Sequence, residues 1–470
     1  MQEYTKEGIH KAVLSEQEFF RTGATLDIDF RIEQLKKLKQ MILKNEDAMK
    51  EALKQDLGRD YLEGYFCDIG SVILEINETI ASLRKWARPE THFSGLVCFP
   101  SVTTKVYKMP YGVTLIISPF NFPYMLSLGV LVASIAGGNT AIIKASSKSK
   151  ACTSLLVKMI SETFPSDYIY AIGGGHDVAD FCLEERFDKI FYTGSPNVGK
   201  HVLEMAAKNL TPVALELGGE NGNWAIVRKD ADIKDAARKI AFFKILNSGQ
   251  ICININQVAV AEEVADDFVE ELKQAINKAL GDSPLDNGEY PKLIDEAAYD
   301  KCEKEAEPYK ERVVFGGSGN RKTCQFEPTI IYPVDMDEPI VNHELFCPLL
   351  PIVTYKDQEI EQVLCEIAKR EHGLSLYIFT KNVSWAKKVM QMQQYGGGCI
   401  NEVCLHLMVK GVPFNGTGHS GMGAYHGEWG FKEFTHPSTV LVGATRFNLS
   451  LREHPYNKPL KEKILKFFER

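Results

Sequence analysis

From Tyr111 to Ile143 the chain reads YGVTLIISPFNFPYMLSLGVLVASIAGGNTAII, without one charged side chain. A transmembrane helix needs about 20 apolar residues, so length alone admits one here. Pro119, Asn121 and Pro123 interrupt the run, and Gly137-Gly138-Asn139 interrupts it again. Proline removes a backbone donor and breaks a helix interior. The stretch therefore reads as strand (Val113–Ile117), loop (Ser118–Phe122), helix (Pro123–Ala136), turn and strand (Thr140–Lys144). Pro123 falls in the first helical turn, where proline is accepted. The missing charge then signifies burial on both faces, as parallel strands require.

The rhythm continues outward. Helix Cys152–Thr163 precedes strand Tyr168–Ile172, which Gly173-Gly174-Gly175 ends. Helix Asp177–Leu183, strand Lys189–Thr193, helix Val198–Lys208 and strand Val213–Leu217 follow. Strands alternating with helices predict a doubly wound, Rossmann-like parallel sheet. Ligands bind such sheets beyond the carboxyl ends of the strands. The loops after Ile117, Lys144, Ile172 and Thr193 are thus the places to look for function. Upstream, Leu35, Leu38, Ile42, Met49 and Leu53 fall at helical spacing on one stripe. A second strand–helix series starts at Asn223–Val227 and runs to about Leu405. Residues 459–470 read as a short amphipathic helix, too charged to span a membrane.

The 470 residues amount to about three domain-lengths. Apolar residues make up 44% and charged residues 25%, which excludes disorder and small disulfide scaffolds. A net charge of −8 argues against a general nucleic-acid or anionic-membrane binder. The 11 cysteines are scattered, and the N-terminal stretch is polar, without the apolar core of a signal peptide. A reducing cytoplasm with free thiols is expected. Most of these thiols should be packing.

Gly194-Ser-Pro-Asn-Val-Gly199-Lys200 nearly spells a phosphate-binding P-loop, but His201 stands where magnesium needs serine or threonine. An NTPase is disfavoured. A glycine turn opening a helix still suits a phosphate or pyrophosphate. Gly416-Thr-Gly-His-Ser-Gly421 matches G-x-G-x-x-G by letters only, without a preceding strand, and reads as a bent loop. Cys399, Cys404 and His406 fit no zinc spacing, and no metal site is expected. Two segments stand out: Leu215-Glu-Leu-Gly-Gly219 and Asn247-Ser-Gly-Gln-Ile-Cys252. Glu216 ends a strand expected to be buried, where an acid is costly without a task. Desolvation would raise its pKa towards that of a base working near neutrality. Gly249 allows a turn that exposes Cys252.

In order and spacing these segments resemble the aldehyde dehydrogenase superfamily, from about Asp27 to Pro455. Ile117-Ser-Pro-Phe-Asn-Phe-Pro123, Gly138-Asn-Thr-Ala-Ile-Ile-Lys144, Phe191-Tyr-Thr-Gly-Ser195 and Glu344-Leu-Phe346 add to the match. Arg186-Phe-Asp-Lys-Ile-Phe-Tyr-Thr193 and Ser420-Gly-Met-Gly-Ala-Tyr-His-Gly427 resemble the class 3 branch, which implies apolar aliphatic or aromatic aldehydes. The resemblance makes Cys252 the nucleophile, Asn121 an oxyanion donor with the Cys252 N–H, and Glu216 the base that hydrolyses a thioester. It places NAD or NADP against Ile117, Pro119, Phe120, Lys144, Ser147, Thr193, Gly194, Ser195, Val198, Leu217 and Gly218. Lys144 would hold the adenosine ribose, Glu344 the nicotinamide ribose, and Phe346 would pack beside it.

Departures matter. Ser147 replaces the glutamate that would bind a 2′-hydroxyl and repel a 2′-phosphate, so NADP should be accepted. Cys347 replaces the usual glycine, which requires a backbone compatible with a side chain and raises the question of a disulfide with Cys252. Ile251, Glu220 and Ile253-Asn-Ile-Asn256 also depart and suggest an unusual pocket. The alternatives are a CoA-acylating reductase using the same cysteine and a non-catalytic nucleotide binder. Family architecture implies a nucleotide-binding domain over 1–88 and 111–215 and a catalytic domain over 216–405. Segments 89–110 and 431–445 would form a bridging sheet in a homodimer, and 446–470 the tail.

Overall fold

The computed structural model describes residues 4–95, 98, 101, 103–443, 445–446, 454 and 459–468. Its first sheet has six strands in the order Gly421–Met422, Val213–Leu217, Lys189–Gly194, Val113–Ile117, Thr140–Lys144 and Ile169–Ile172. All neighbours are parallel except the two-residue edge strand Gly421–Met422. Chain order therefore reverses at Val113–Ile117, which lies between Thr140–Lys144 and Lys189–Gly194. That reversal opens a crevice at the carboxyl ends of Val113–Ile117 and Lys189–Gly194.

The chargeless stretch is the centre of this sheet. Every residue of Val113–Ile117 and Thr140–Lys144, and of the helix Val130–Gly137 between them, is buried. The helix starts differently from the sequence expectation. Met125–Gly129 forms a wider turn before the regular helix. Asp68 supplies the reason: its carboxylate accepts from the N–H groups of Tyr124 and Met125, so a distant side chain caps this start. The far end closes at Gly138, whose φ of +89° no β-carbon would tolerate beside the Arg31 guanidinium. Arg31 in turn donates to the carbonyls of Ala136, Thr25 and Leu26.

The second sheet has seven strands, ordered Val313–Phe315, Thr329–Val334, Leu349–Tyr355, Ile255–Ala261, Asn223–Val227, Ser375–Phe379 and Gly397–Ile400. Only its first pair is antiparallel. A third, antiparallel sheet joins Glu90–Phe93, Thr103–Pro110 and Thr435–Val442. This corrects part of the expected 431–445 segment. Phe431 belongs to a helix, Gly427–Glu433, and the strand begins at Thr435. The ring of Phe431 packs against Trp86, and it is this burial that keeps the turn helical. Pro459–Phe468 is helical, whereas 447–453, 455–458 and 469–470 of the expected tail lie outside the described residues. Among the described residues no helix is long and apolar enough to cross a membrane.

Asn139 ties the first sheet to the C-terminal segment. Its side chain accepts from Gly112 N at 3.0 Å and donates to Phe434 O at 2.9 Å and Ser134 O at 3.2 Å. Asn139→Ala would orphan buried backbone groups, at a cost of order 3 kcal/mol. Urea denaturation should show a lower midpoint; an unchanged one contradicts this role.

Candidate active site

Cys252 lies in the lead-in to the central strand Ile255–Ala261. Asn247, Ser248 and Gly249 all adopt left-handed φ, at 49°, 51° and 75°. This run turns the chain sharply before the cysteine. Gly249 is required there, because a β-carbon would sit 2.3 Å from the Cys347 carbonyl oxygen. Buried asparagines fix the loop from beneath. Asn254 Nδ2 donates to Gly249 O at 2.7 Å, and Asn223 Nδ2 to Cys252 O at 2.7 Å. Asn256 Oδ1 accepts from Asn223 N at 2.7 Å, and its Nδ2 donates to Leu345 O at 3.0 Å. Ile253 and Ile255 are core residues. The departures at 253–256 therefore support the loop rather than reshape a pocket, which corrects the sequence expectation.

Asn121 is buried across from this loop. Its Nδ2 donates to Gln250 O at 3.1 Å. An amide nitrogen carries two hydrogens, so this bond anchors the side chain and leaves a second N–H. Glu216 is the penultimate residue of its strand and lies between Thr193 and Gly421 in the ladder. It is buried, and neither carboxyl oxygen has a hydrogen-bond partner among the described residues. Burial, reinforced by Glu433, pushes its pKa well above the carboxylate range. The Cys252 thiol is pushed up to about 12, first by burial and then by Glu344 and Glu216, against the N–H groups of Ile253 and Cys252. Glu216 and Cys252 thus feel one another. Tyr425, a buried phenol with no partner of its own among the described residues, feels both.

The crevice beside them collects the expected cofactor residues. Ile117, Lys144, Thr193 and Leu217 end four neighbouring parallel strands. Lys144 Nζ donates to Gly174 O at 2.8 Å and Ala145 O at 3.1 Å. Ser195 precedes helix Pro196–Ala207, with Val198 in its first turn, so the helix N-terminus faces the strand ends. Lys200 of the near-P-loop is instead exposed and paired with Glu220 at 3.0 Å. Phe120, next to Pro119, and Phe346 meet edge to face, ring centroids 6.0 Å apart. The Glu344 carboxyl lies against Gly218, where a β-carbon would fall 1.9 Å from Oε1. That oxygen is buried and unpartnered among the described residues, and burial raises the Glu344 pKa to about 7. An orphaned acceptor, a helix N-terminus and a glycine backbone open to close approach fit a dinucleotide. Ser147 is exposed. Nearby Lys148 pairs with Asp295 at 3.0 Å.

A family model, the aldehyde dehydrogenase family, matches residues 1–440. The chain belongs to the aldehyde dehydrogenase family. It is an NAD(P)-dependent aldehyde dehydrogenase. The 4,4'-diaponeurosporen-aldehyde dehydrogenase of Staphylococcus aureus is 37% identical over 94% of this chain and 95% of its own. The dimeric NADP-preferring aldehyde dehydrogenase of Rattus norvegicus is 34% identical over 92% and 94%. A solved structure, the substrate-bound state of Staphylococcus aureus AldH, superposes with a TM-score of 0.94 at 35% identity, covering 98% and 99%.

Three features escaped sequence reasoning. The G-x-G-x-x-G segment does more than bend: its Gly421–Met422 pairs with Leu215–Glu216 and covers that edge. Cys347 has a backbone outside the left-handed region, its thiol lies within electrostatic reach of Cys302 and buried Lys244, and both it and Cys252 are free thiols. Arg59, fully buried, contacts both Asn121 and Asn247. Beside Glu63 and Asp68, which are close in sequence, its partners Asn121 and Asn247 lie far along the chain, where no local pattern points to them.

The raised thiol has a direct consequence. Iodoacetamide labelling of Cys252 in cofactor-free enzyme should rise about tenfold per pH unit from 7 to 10, where an ordinary thiol levels off near 8.5. Mass spectrometry locates the label. A plateau below pH 9 contradicts the electrostatics.

Proposed function

We propose that the enzyme oxidises an apolar aldehyde to its carboxylic acid, through addition of Cys252 and hydrolysis of a thioester assisted by Glu216. The observation that carries this reading is the buried, unpartnered Glu216 carboxyl within electrostatic reach of the Cys252 thiol. Addition of the thiol makes the carbonyl carbon tetrahedral and its oxygen anionic. The second N–H of Asn121 and the N–H of Cys252 are the donors for that oxygen. NAD or NADP supplies the hydride acceptor when bound. Collapse leaves an acyl group on Cys252. Glu216 then takes a proton from water, a task suited to a carboxyl whose pKa lies above the ordinary range.

Apolar side chains around Cys404, which lies within electrostatic reach of Cys252, support an apolar substrate. Leu62, Phe66, Leu405 and Val409 are exposed, and Leu74, Met125, Leu407 and Met408 line a cavity shared with Glu75 and His426. The Staphylococcus aureus relative is named for diaponeurosporen-aldehyde. Ser147 carries no charge to repel a 2′-phosphate, and the rat relative is named NADP-preferring. NADP is therefore used at least as well as NAD. The strand Thr435–Val442 is a sheet edge with exposed Val440, Leu441 and Val442. Pairing of such edges is favourable, the rat relative is named dimeric, and the assembly is a homodimer. The nucleotide domain comprises 1–88 and 111–215, the catalytic domain 216–405. The 11 free cysteines suit a reducing cytoplasm.

Cys252→Ala should abolish aldehyde-dependent reduction of NAD(P). Glu216→Gln should stop turnover after a single burst of reduced cofactor, leaving an acyl adduct detectable by mass. Full activity in the first, or no burst and no adduct in the second, overturns the assigned roles. Acid formed without added CoA separates hydrolysis from acyl transfer to CoA. Wild-type turnover limited by hydrolysis should rise with pH above the ordinary carboxylate range, as Glu216 ionises. Ser147→Glu should lower kcat/KM for NADP by about tenfold or more while sparing NAD. A tenfold preference of the wild type for NAD would refute the cofactor assignment.

A further inference from the structure

We propose that Arg59 is a positioning residue that sets the gap between the two halves of the oxyanion site, the Asn121 amide and the Cys252 N–H. Asn121 belongs to a loop of the six-stranded sheet and Cys252 to the lead-in of the seven-stranded one. Among the described residues no strand ladder joins the two sheets. The guanidinium does. Its Nη2 donates to the Asn121 carbonyl, its Nε to Asn247 Oδ1 at 2.9 Å and its Nη1 to Asp68 Oδ2 at 3.0 Å. Its plane covers the Phe122 ring at 4.4 Å.

Asn247 closes the circuit. Its Nδ2 donates to Asn121 O at 3.1 Å and to Gln250 O at 3.0 Å. The Gln250 carbonyl also receives Asn121 Nδ2 at 3.1 Å. Arg59 therefore holds the main chain of one loop directly. Through one side chain it holds the main chain of the other, two residues before the thiol. Asp68 extends the grip to Tyr124 N at 2.9 Å and to Met125 N. A planar fork fixes angles as well as distances, which an ammonium does not. A guanidinium this deeply buried is strongly destabilising unless all its bonds are made, so the clamp has one geometry.

The proposal rests on the thiol-addition reading, and the test separates the two. Iodoacetamide alkylates Cys252 by displacement of iodide, with no oxyanion. An activated ester, p-nitrophenyl acetate, is attacked at its carbonyl, passes through an oxyanion and expels p-nitrophenolate. Neither reaction needs cofactor. In Arg59→Lys, alkylation should stay within about twofold of wild type while acylation by the ester slows about 100-fold, the scale of a lost oxyanion donor. Equal slowing of both reactions, or ester acylation within about threefold of wild type, would overturn the proposal. Should Arg59→Lys fail to fold, Asn247→Asp takes its place. Aspartate tolerates the left-handed φ of 49°, still accepts from Arg59 and removes both donations to the loop carbonyls. The same split is expected, and the same results overturn it. A wild type whose ester hydrolysis survives Cys252→Ser would overturn the thiol-addition reading itself, and this proposal with it.

Discussion

On the proposed reading a carbonyl group is held between an amide and a thiol that belong to different sheets, and much of the structure is arranged around that constraint. Hydrogen-bond ladders fix positions within a sheet to a fraction of an ångström, but they carry no information across to another. Here the cross-sheet registration is made by buried side chains, Asn121 on Gln250 and Asn247 on Asn121 and Gln250, while Asn223 holds Cys252 and Asn254 within the seven-stranded sheet. Each takes a main-chain carbonyl as its partner. Amide side chains suit this work because they donate and accept without bringing charge into a site that already contains two carboxyls. The cation in the frame, Arg59, is matched by Asp68 at 3.0 Å and Glu63 at 3.6 Å.

The same constraint explains why the chargeless stretch is so long. Val113–Ile117 sits where chain order reverses, and its loop carries Phe120 and Asn121 into the crevice. A loop placed so deeply needs its own backbone groups satisfied. Asp68 caps the turn after it, and Arg59 and Asn247 take the Asn121 carbonyl. The prolines at 119 and 123 lower the number of N–H groups that need partners. Composition and hydrogen bonding thus converge on one rigid element.

Much of this was legible in the chain. Val113–Ile117, Thr140–Lys144, Val213–Leu217 and Asn223–Val227 are found with the bounds their apolar runs suggest, because burial on both faces leaves a continuous signal and glycine or proline marks each end. Glu216 could be singled out because an acid in such a run is conspicuous, and the structure gives it the burial that reasoning requires. What stayed hidden depends on contacts distant in sequence. Arg59 sits in a lysine- and aspartate-rich surface-like segment, and its nearby partners Glu63 and Asp68 give no sign of those 62 and 188 residues away. The edge strand Gly421–Met422 is two residues long and has no periodicity to read. The Asn254 and Asn256 departures looked like pocket changes because sequence cannot tell a residue facing the site from one beneath it.

The electrostatics of Cys252 differ from those of thiols activated at rest. Reactive cysteines commonly stand beside a cation that favours the thiolate. Here burial, Glu344 and Glu216 all favour the thiol, and the opposing influences are the N–H groups of Ile253 and Cys252. Burial also favours the neutral form of both acids, which limits the net charge beside the thiol. A thiol so held is a poor nucleophile towards adventitious electrophiles and oxidants. The N–H groups of Ile253 and Cys252 favour the thiolate, so at the sulfur they help most once the proton leaves. Reactivity in such a site has to arrive with the charge and the desolvation that binding brings, and the two acids beside the thiol are what make it conditional.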